Sequence, residues 1–380
     1  MLDDVNRLFE WAVANRLNKI EWLLLGHRSW GDELETRMNR FQIMTDLAHQ
    51  YSLMVGADCP LGNIQQHGWY IVNTRLPFLD QIQQIRDRVD YVFNSGFDFM
   101  TTESGLSEFT HPECSLMLDL LNAFAEYVNR TWGREAGVKV HCSTGQVCDD
   151  YLDPRDNKPI NFNFLTLFAS PELGVFPHTV QTYGFDDHTA GAYGNDDFRR
   201  IEDYLVYEAK SGRRAVSYYG ETAYWVNVDI DVPLLLPLTP QRRLRDLRKI
   251  ARREKAEGFR MQGQINFDSG WEWGYWMNDV VTARGTLYNK LNAIIRIKYV
   301  ASWDPKMNID DDWEAFYASL DIFRNVFGEK SGTEVAGVVA RLAQAQEELL
   351  INGIVNGNPS PNIYKLNGFG YLMGSGKQID

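Results

Sequence analysis

Apolar positions along this chain switch repeatedly between helical and strand spacing. The opening stretch, DDVNRLFEWAVANRLN, sets Val5, Leu8, Phe9, Ala12, Val13 and Leu17 on one helical stripe, so the chain starts in a helix with no strand before it. KIEWLLLG, residues 19–26, is an apolar run of strand length closed by a glycine. The alternation then recurs as helix 35–50, strand 52–60 ended by Pro60, helix 77–94, strand 97–103, helix 115–130 and strand 138–144. A polar stretch with Asp149, Asp150, Asp153, Pro154 and Pro159 reads as a long loop. After it come strand 175–183, helix 196–211, strand 215–219, helix 240–256 and strand 261–268.

Strands alternating with amphipathic helices over about 250 residues predict an α/β fold, a TIM-type (β/α) barrel. No GxGxxG or Walker pattern opens any helix, which argues against a nucleotide-binding sheet. The pattern supplies seven strands where eight close a barrel. The expectation is therefore a barrel lacking its first strand, since the chain begins at the first helix. The segment 293–302, AIIRIKYVAS, is the other candidate eighth strand, but it also continues a helical pattern and would bury charge. The barrel domain is placed at 1–300. Residues 301–380 are read as a small C-terminal helical appendage with a Gly-, Asn- and Pro-rich tail. A missing strand would expose two sheet edges, so self-association is also expected.

Composition narrows the partners. A formal net charge of -13 speaks against nucleic acid or an anionic membrane surface. The one dense basic run, Arg242, Arg243, Arg245, Arg248, Lys249, Arg252 and Arg253, alternates with Leu244, Leu247 and Ile250 and reads as the solvated face of a helix. Cys59, Cys114, Cys142 and Cys148 form no CxxC or zinc-ligand spacing, and Cys59 and Cys142 sit at strand ends as small apolar residues. With no signal-peptide pattern and no bilayer-length apolar run, the chain as given reads as soluble and cytoplasmic. Aromatic residues reach 13%, and many fall in loops: Trp30, Trp69, Tyr70, Tyr183, Tyr193, Trp225, Trp271, Trp273 and Trp276. Rings in the loops of an acidic protein suit the flat apolar faces of sugars, although core packing can also hold them.

Chemistry in such a fold gathers where strands end, because the strand bodies are packed core. Numbered with the first strand missing, the second strand ends at Gly26 and His27 and the third at Asp58 and Cys59. The fourth ends at Glu103, the fifth at His141–Thr144, and the sixth at Gln181–Tyr183. RAVSYYGETAYW ends the seventh at Glu221, beside Tyr224 and Trp225, and the eighth ends at Asp268, before SGWEWGYW. Two carboxylic acids on facing strands meet the needs of glycosidic bond cleavage: one protonates the leaving oxygen, the other attacks or activates water. Glu103 and Glu221 are that pair. His141, Gln181, Tyr183, Trp225, Asp268, Trp271 and Trp273 are the expected saccharide contacts.

Glutamates at strands four and seven, with a tryptophan just past strand eight, resemble the retaining glycoside hydrolase barrels. That resemblance implies Glu103 as acid/base, Glu221 as nucleophile, Trp271 or Trp273 as sugar platform, and no metal or other cofactor. NRLNKIEWLLLGHRSWGDE, residues 15–33, separately resembles the helix-one to strand-two passage of hexosaminidase-like barrels. Thr102 departs from both patterns, standing where the first kind usually carries Asn and the second Asp. Without that Asp, substrate-assisted cleavage is not carried over. The competing readings are a metal-dependent hydrolase using His141, His178, Asp58, Asp268 and Glu103, and a non-catalytic carbohydrate-binding barrel. No HxH or HExxH spacing supports the metal reading.

Overall fold

A computed structural model of the chain describes residues 2–24, 34–62, 68–105, 112–142, 144–179, 184–186, 198–221, 237–267, 276–283 and 319–347. Helices and strands alternate as α1 (Leu2–Ala14), β1 (Lys19–Leu23), α2 (Leu34–Gln50), β2 (Met54–Asp58), α3 (Phe78–Asn94), β3 (Phe99–Glu103), α4 (Cys114–Trp132) and β4 (Glu135–Val140). A two-stranded antiparallel ribbon follows, β5 (Val147–Leu152) with β6 (Pro159–Asn161), then a 3-10 helix, Phe162–Phe168. The alternation resumes with β7 (Leu173–Thr179), α5 (Arg199–Ser211), β8 (Ser217–Gly220), α6 (Leu238–Glu257) and β9 (Gly263–Asn266). One sheet has the order β1-β2-β3-β4-β7-β8-β9, and each pairing with a defined register is parallel. Parallel neighbours in chain order, most joined through helices, are the succession of a (β/α) barrel. The chain divides into two compact units, Met1–Pro177 with Tyr207–Ser217, and His178–Val206 with Tyr218–Asp380.

In the first unit the helices form because their apolar residues recur every three or four positions. α3 buries Gln81, Ile85, Val89 and Val92, and α4 buries Met117, Leu121, Phe124, Ala125 and Val128 before Gly133, at φ 62°, caps it. Successive strand residues point to opposite faces. One face carries Val55, Ala57, Met100, Val138 and Val140, all buried. Register puts Lys19, Glu21, Gly56, Asp58, Phe99, Thr101, Glu103, Gly137, Lys139 and Phe176 on the other. Two glycines on that face make room for rings: a Cβ on Gly56 would run into the Phe99 ring, and one on Gly137 into the Phe176 ring. Lys19 pairs with Glu135 and stands 5.0 Å from the Phe99 ring centroid.

The stretch expected to be a long loop instead holds the β5–β6 ribbon and the 3-10 helix. Asn161 caps that helix by accepting from the Asn163 N–H, and Phe162, Phe164, Leu165 and Leu167 bury themselves. A disulfide joins Cys114, at the start of α4, to Cys148 in β5. The cysteine spacing did not disclose it, because the pairing depends on a ribbon that the sequence pattern did not show. Cys59 and Cys142 are buried and lie outside the disulfide. No described helix is long and apolar enough to cross a membrane.

In the second unit, α6 corrects the reading of the basic run as a solvated face. Arg242 and Arg243 are buried, Arg245 pairs with Glu347, and Lys249 and Arg253 both pair with Glu202. Helices α7 (Leu320–Phe327) and α8 (Glu329–Gln346) form a hairpin. Leu320, Phe323, Ala336, Ala340 and Ala343 of that hairpin share a core with Leu244 of α6, Met277 and Val281.

Candidate active site

Four strands of the first unit place charge where a (β/α) barrel ordinarily packs branched apolar side chains. Glu21 of β1, Asp58 of β2, Thr101 and Glu103 of β3, and Lys139 of β4 form one hydrogen-bonded row. Thr101 Oγ1 lies 2.9 Å from Glu21 Oε1 and 3.2 Å from Asp58 Oδ1. Lys139 Nζ bonds Asp58 Oδ2 and, at 2.9 Å, Glu103 Oε1. Asp58 and Thr101 are buried, whereas the Glu103 side chain keeps 26% of its surface exposed. Glu21, Lys139 and Glu103 are each only partly buried, and Glu103 lies at the C-terminal end of its strand.

The electrostatics follow from three carboxyl groups sharing one ammonium. Loss of solvation, then the Asp58 charge, pushes Glu21 up to about 7, and Lys139 and the Thr101 hydrogen bond only partly offset this. Desolvation also raises Asp58, against the pull of Lys139. Cys59 is raised well above the ordinary thiol value by burial, with Asp58 and Glu21 adding to it. Glu21 is thus largely protonated below neutrality, and Asp58 is the carboxylate set closest to Lys139.

In the second unit, Glu221 follows β8 directly and is buried, its backbone N–H donating to Thr179 O at 3.0 Å. Alternation along the strand places Glu221 on the same side as Tyr219. Tyr219 stacks on His178, with ring centroids 4.3 Å apart, and meets Phe267 edge-on. The opposite side of β7 and β8 is built around Arg243 of α6. Arg243 Nη1 donates to Thr179 Oγ1 at 3.0 Å and to the Tyr218 hydroxyl, and lies 3.4 Å from Asp246 Oδ2. The Tyr218 hydroxyl donates to the same Asp246 oxygen at 2.6 Å, and Asp246 Oδ1 accepts the Phe185 N–H. Burial raises Tyr218 well above its usual value and raises Asp246, the latter against the Arg243 charge. A Cβ on Gly220 would collide with this guanidinium, which explains a glycine immediately before Glu221.

Of the residues singled out from sequence, Glu103 and Glu221 end β3 and β8, and His141 lies half-buried just after β4. Gln181, Tyr183, Trp225, Asp268, Trp271 and Trp273 lie outside the described residues. Two of the loop aromatics take part in packing. Trp69 is buried edge-on against Tyr91 with Arg37 over its ring, and Trp276 packs on Phe323. Among the described residues no group of three or more His, Cys, Asp and Glu side chains is arranged to hold a metal ion, and Asp58 and Glu103 already share the Lys139 cation. Sequence reasoning missed Glu21, Thr101 and Lys139. The available signal was a charged residue inside each of two strand runs, KIEWL and EAGVKV, on the face opposite the apolar one.

No protein-family model matches the chain, and no curated protein matches it in sequence. Among solved structures it is similar to a glycoside hydrolase family 5 enzyme from Prevotella bryantii, at 13% identity and TM-score 0.47, covering 75% of this chain and 85% of that one. It is also similar to the Pseudomonas stutzeri endoglucanase in complex with cellobiose, at 13% identity and TM-score 0.42, covering 71% and 77%. A sugar phosphate isomerase/epimerase from Parabacteroides distasonis stands at 12% identity and TM-score 0.42, covering 76% and 93%. Similarity at this level adds nothing to the fold read from the strand order, and it bears on neither substrate nor mechanism.

Proposed function

We propose that the chain is a glycoside hydrolase in which Glu103 is the acid/base and Glu221 the nucleophile. The observation that carries this reading is Glu103 itself, a partly exposed carboxyl at the C-terminal end of a parallel strand, gripped by a lysine that two further carboxyl groups surround. A carboxyl tethered in this way has its orientation fixed, one requirement of a general acid. Glu103 would protonate the departing glycosidic oxygen while Glu221 forms the glycosyl-enzyme bond. Glu103, now ionised, would then take a proton from the water that cleaves that bond. His141, Gln181, Tyr183, Trp225, Asp268, Trp271 and Trp273 are the proposed saccharide contacts, and no cofactor enters these steps.

The test uses paired leaving groups. With Glu103→Gln, cleavage of an unactivated glycoside is expected to fall by about 10²–10⁴-fold, while an aryl glycoside with an acidic phenol is far less affected, since it needs little protonation. Glu221→Gln should abolish both. A Glu221→Gln enzyme with unchanged turnover would sink the assignment and make Asp268 the next acid to test.

A further inference from the structure

We propose that Glu21 is a positioning residue of the Glu103 centre, an internal proton store that Thr101, Asp58 and Lys139 connect to the Glu103 carboxyl. The proposal rests on the reading of Glu103 as acid/base, but the geometry that motivates it does not. Thr101 has a single hydroxyl proton and two carboxyl oxygens within reach, on Glu21 at 2.9 Å and on Asp58 at 3.2 Å. If both carboxyls were ionised, one of them would face a hydroxyl lone pair in a buried setting, a costly arrangement. A proton on Glu21 removes the conflict. Glu21 then donates to Thr101, Thr101 donates to Asp58, and Asp58 and Glu103 both accept from Lys139. The row becomes a continuous set of hydrogen bonds between a neutral acid, Glu21, and the Glu103 carboxyl, with Asp58 accepting from both sides.

The groups facing Glu21 agree with a proton held there. Asp58 and Glu103 raise its proton affinity, and Lys139 and Thr101 lower it, with loss of solvation the largest influence. Cys59 beside Asp58 stays a neutral thiol, and Lys19, two residues back on β1, is engaged with Glu135. Proton transfer along the row conserves charge and atoms. Glu21 gives its proton to Thr101 Oγ1 as the Thr101 proton passes to Asp58. Lys139 gives a proton to Glu103, and the Asp58 carboxyl turns the proton received on Oδ1 towards Nζ, which takes it and becomes an ammonium again. The result is an ionised Glu21 and a protonated Glu103, with Thr101, Asp58 and Lys139 as they began.

Carbon-13 carboxyl NMR of the full chain, with pH profiles of glycoside cleavage alongside, tests the connection. In the wild type, the Glu103 carboxyl carbon is expected to show a second inflection in the neutral range that coincides with the titration of Glu21. Glu21→Gln should remove that inflection and move the alkaline limb of kcat/KM down by about one pH unit, because the Glu21 charge no longer opposes loss of the Glu103 proton. Thr101→Val should cut the coupling back to what the Glu21 and Glu103 charges exert through space while Glu21 still titrates, and Thr101→Ser, which restores the hydroxyl, should bring the rest back. A Glu103 titration that is the same in Glu21→Gln as in the wild type overturns the proposal. A coupled titration in a chain that cleaves no glycoside upholds the connection and overturns the glycosidase reading alone.

Discussion

Single residues on the charged face of the first unit hold the most informative balance of forces. Glu21 binds a proton more tightly in the folded chain than in the unfolded one, about 7 against 4.5. Between those values the native state holds more protons than the unfolded state, so stability falls as pH rises through that window. Glu21→Gln should flatten this slope, leaving the variant the more stable form at pH 8 and changing little at pH 4. Chemical denaturation across that range would show it, and parallel curves for the two proteins would refute it. Steric balance is just as local. Gly56→Ala should destabilise by roughly 1–3 kcal/mol, since the new methyl group must displace the Phe99 ring from a packed face. Sequence alone singled out Glu103 and Glu221 as candidates because each ends an apolar strand run. It could not identify the Lys139 partnership, because β3 and β4 are joined through a helix and only the register brings Glu103 opposite Lys139.

At the level of elements, the strands and helices were largely legible, since burial imposes a period of two or of three to four wherever one side of an element faces the core. All seven parallel strands were found to within a few residues, as were α1 to α6. The β5–β6 ribbon was not, because its polar, proline-bearing sequence carries no such period, and part of its anchorage is covalent. The Cys114–Cys148 bond closes a separation of 34 residues, which in the chain-entropy view corresponds to roughly 3–4 kcal/mol. Reductant should therefore lower the midpoint of unfolding, and thiol titration of the unfolded, unreduced chain should find Cys59 and Cys142 free but not the bridged pair. Four free thiols would contradict the bond. Disulfides persist in oxidising compartments, so this bond weighs against the cytoplasmic location expected from sequence. The basic helix α6 was misread for a related reason. Its helical period is real, yet Arg243 is buried because Asp246, Tyr218 and Thr179 wait for it, and those partners come from β7, β8 and its own next turn. Arg243→Met should cost about 3–5 kcal/mol by stranding a buried Asp246, with the loss growing as pH rises and Asp246 ionises. Asp246→Asn in the same background should recover part of it.

For the whole molecule, charge is the property that composition fixes and the fold does not alter. A net charge of -13 gives the protein a field that repels anions at distances where no specific contact operates. Among the described residues around Glu103 the charges have the same balance, with Glu21, Asp58 and Glu103 about Lys139. Selection among saccharides should follow. On the proposed glycosidase reading, uronic-acid glycosides ought to show a lower kcat/KM than neutral glycosides of the same linkage and leaving group, mainly through slower association. Because that penalty is long-range and carried by solvent-exposed charge, raising ionic strength from about 0.01 M to 0.15 M shortens the screening length from roughly 30 Å to 8 Å and should relieve most of it. Neutral substrates should respond little to the same change. A uronide whose kcat/KM does not rise with salt, or exceeds that of its neutral counterpart at low salt, would mean that a positively charged substrate pocket outweighs the overall field.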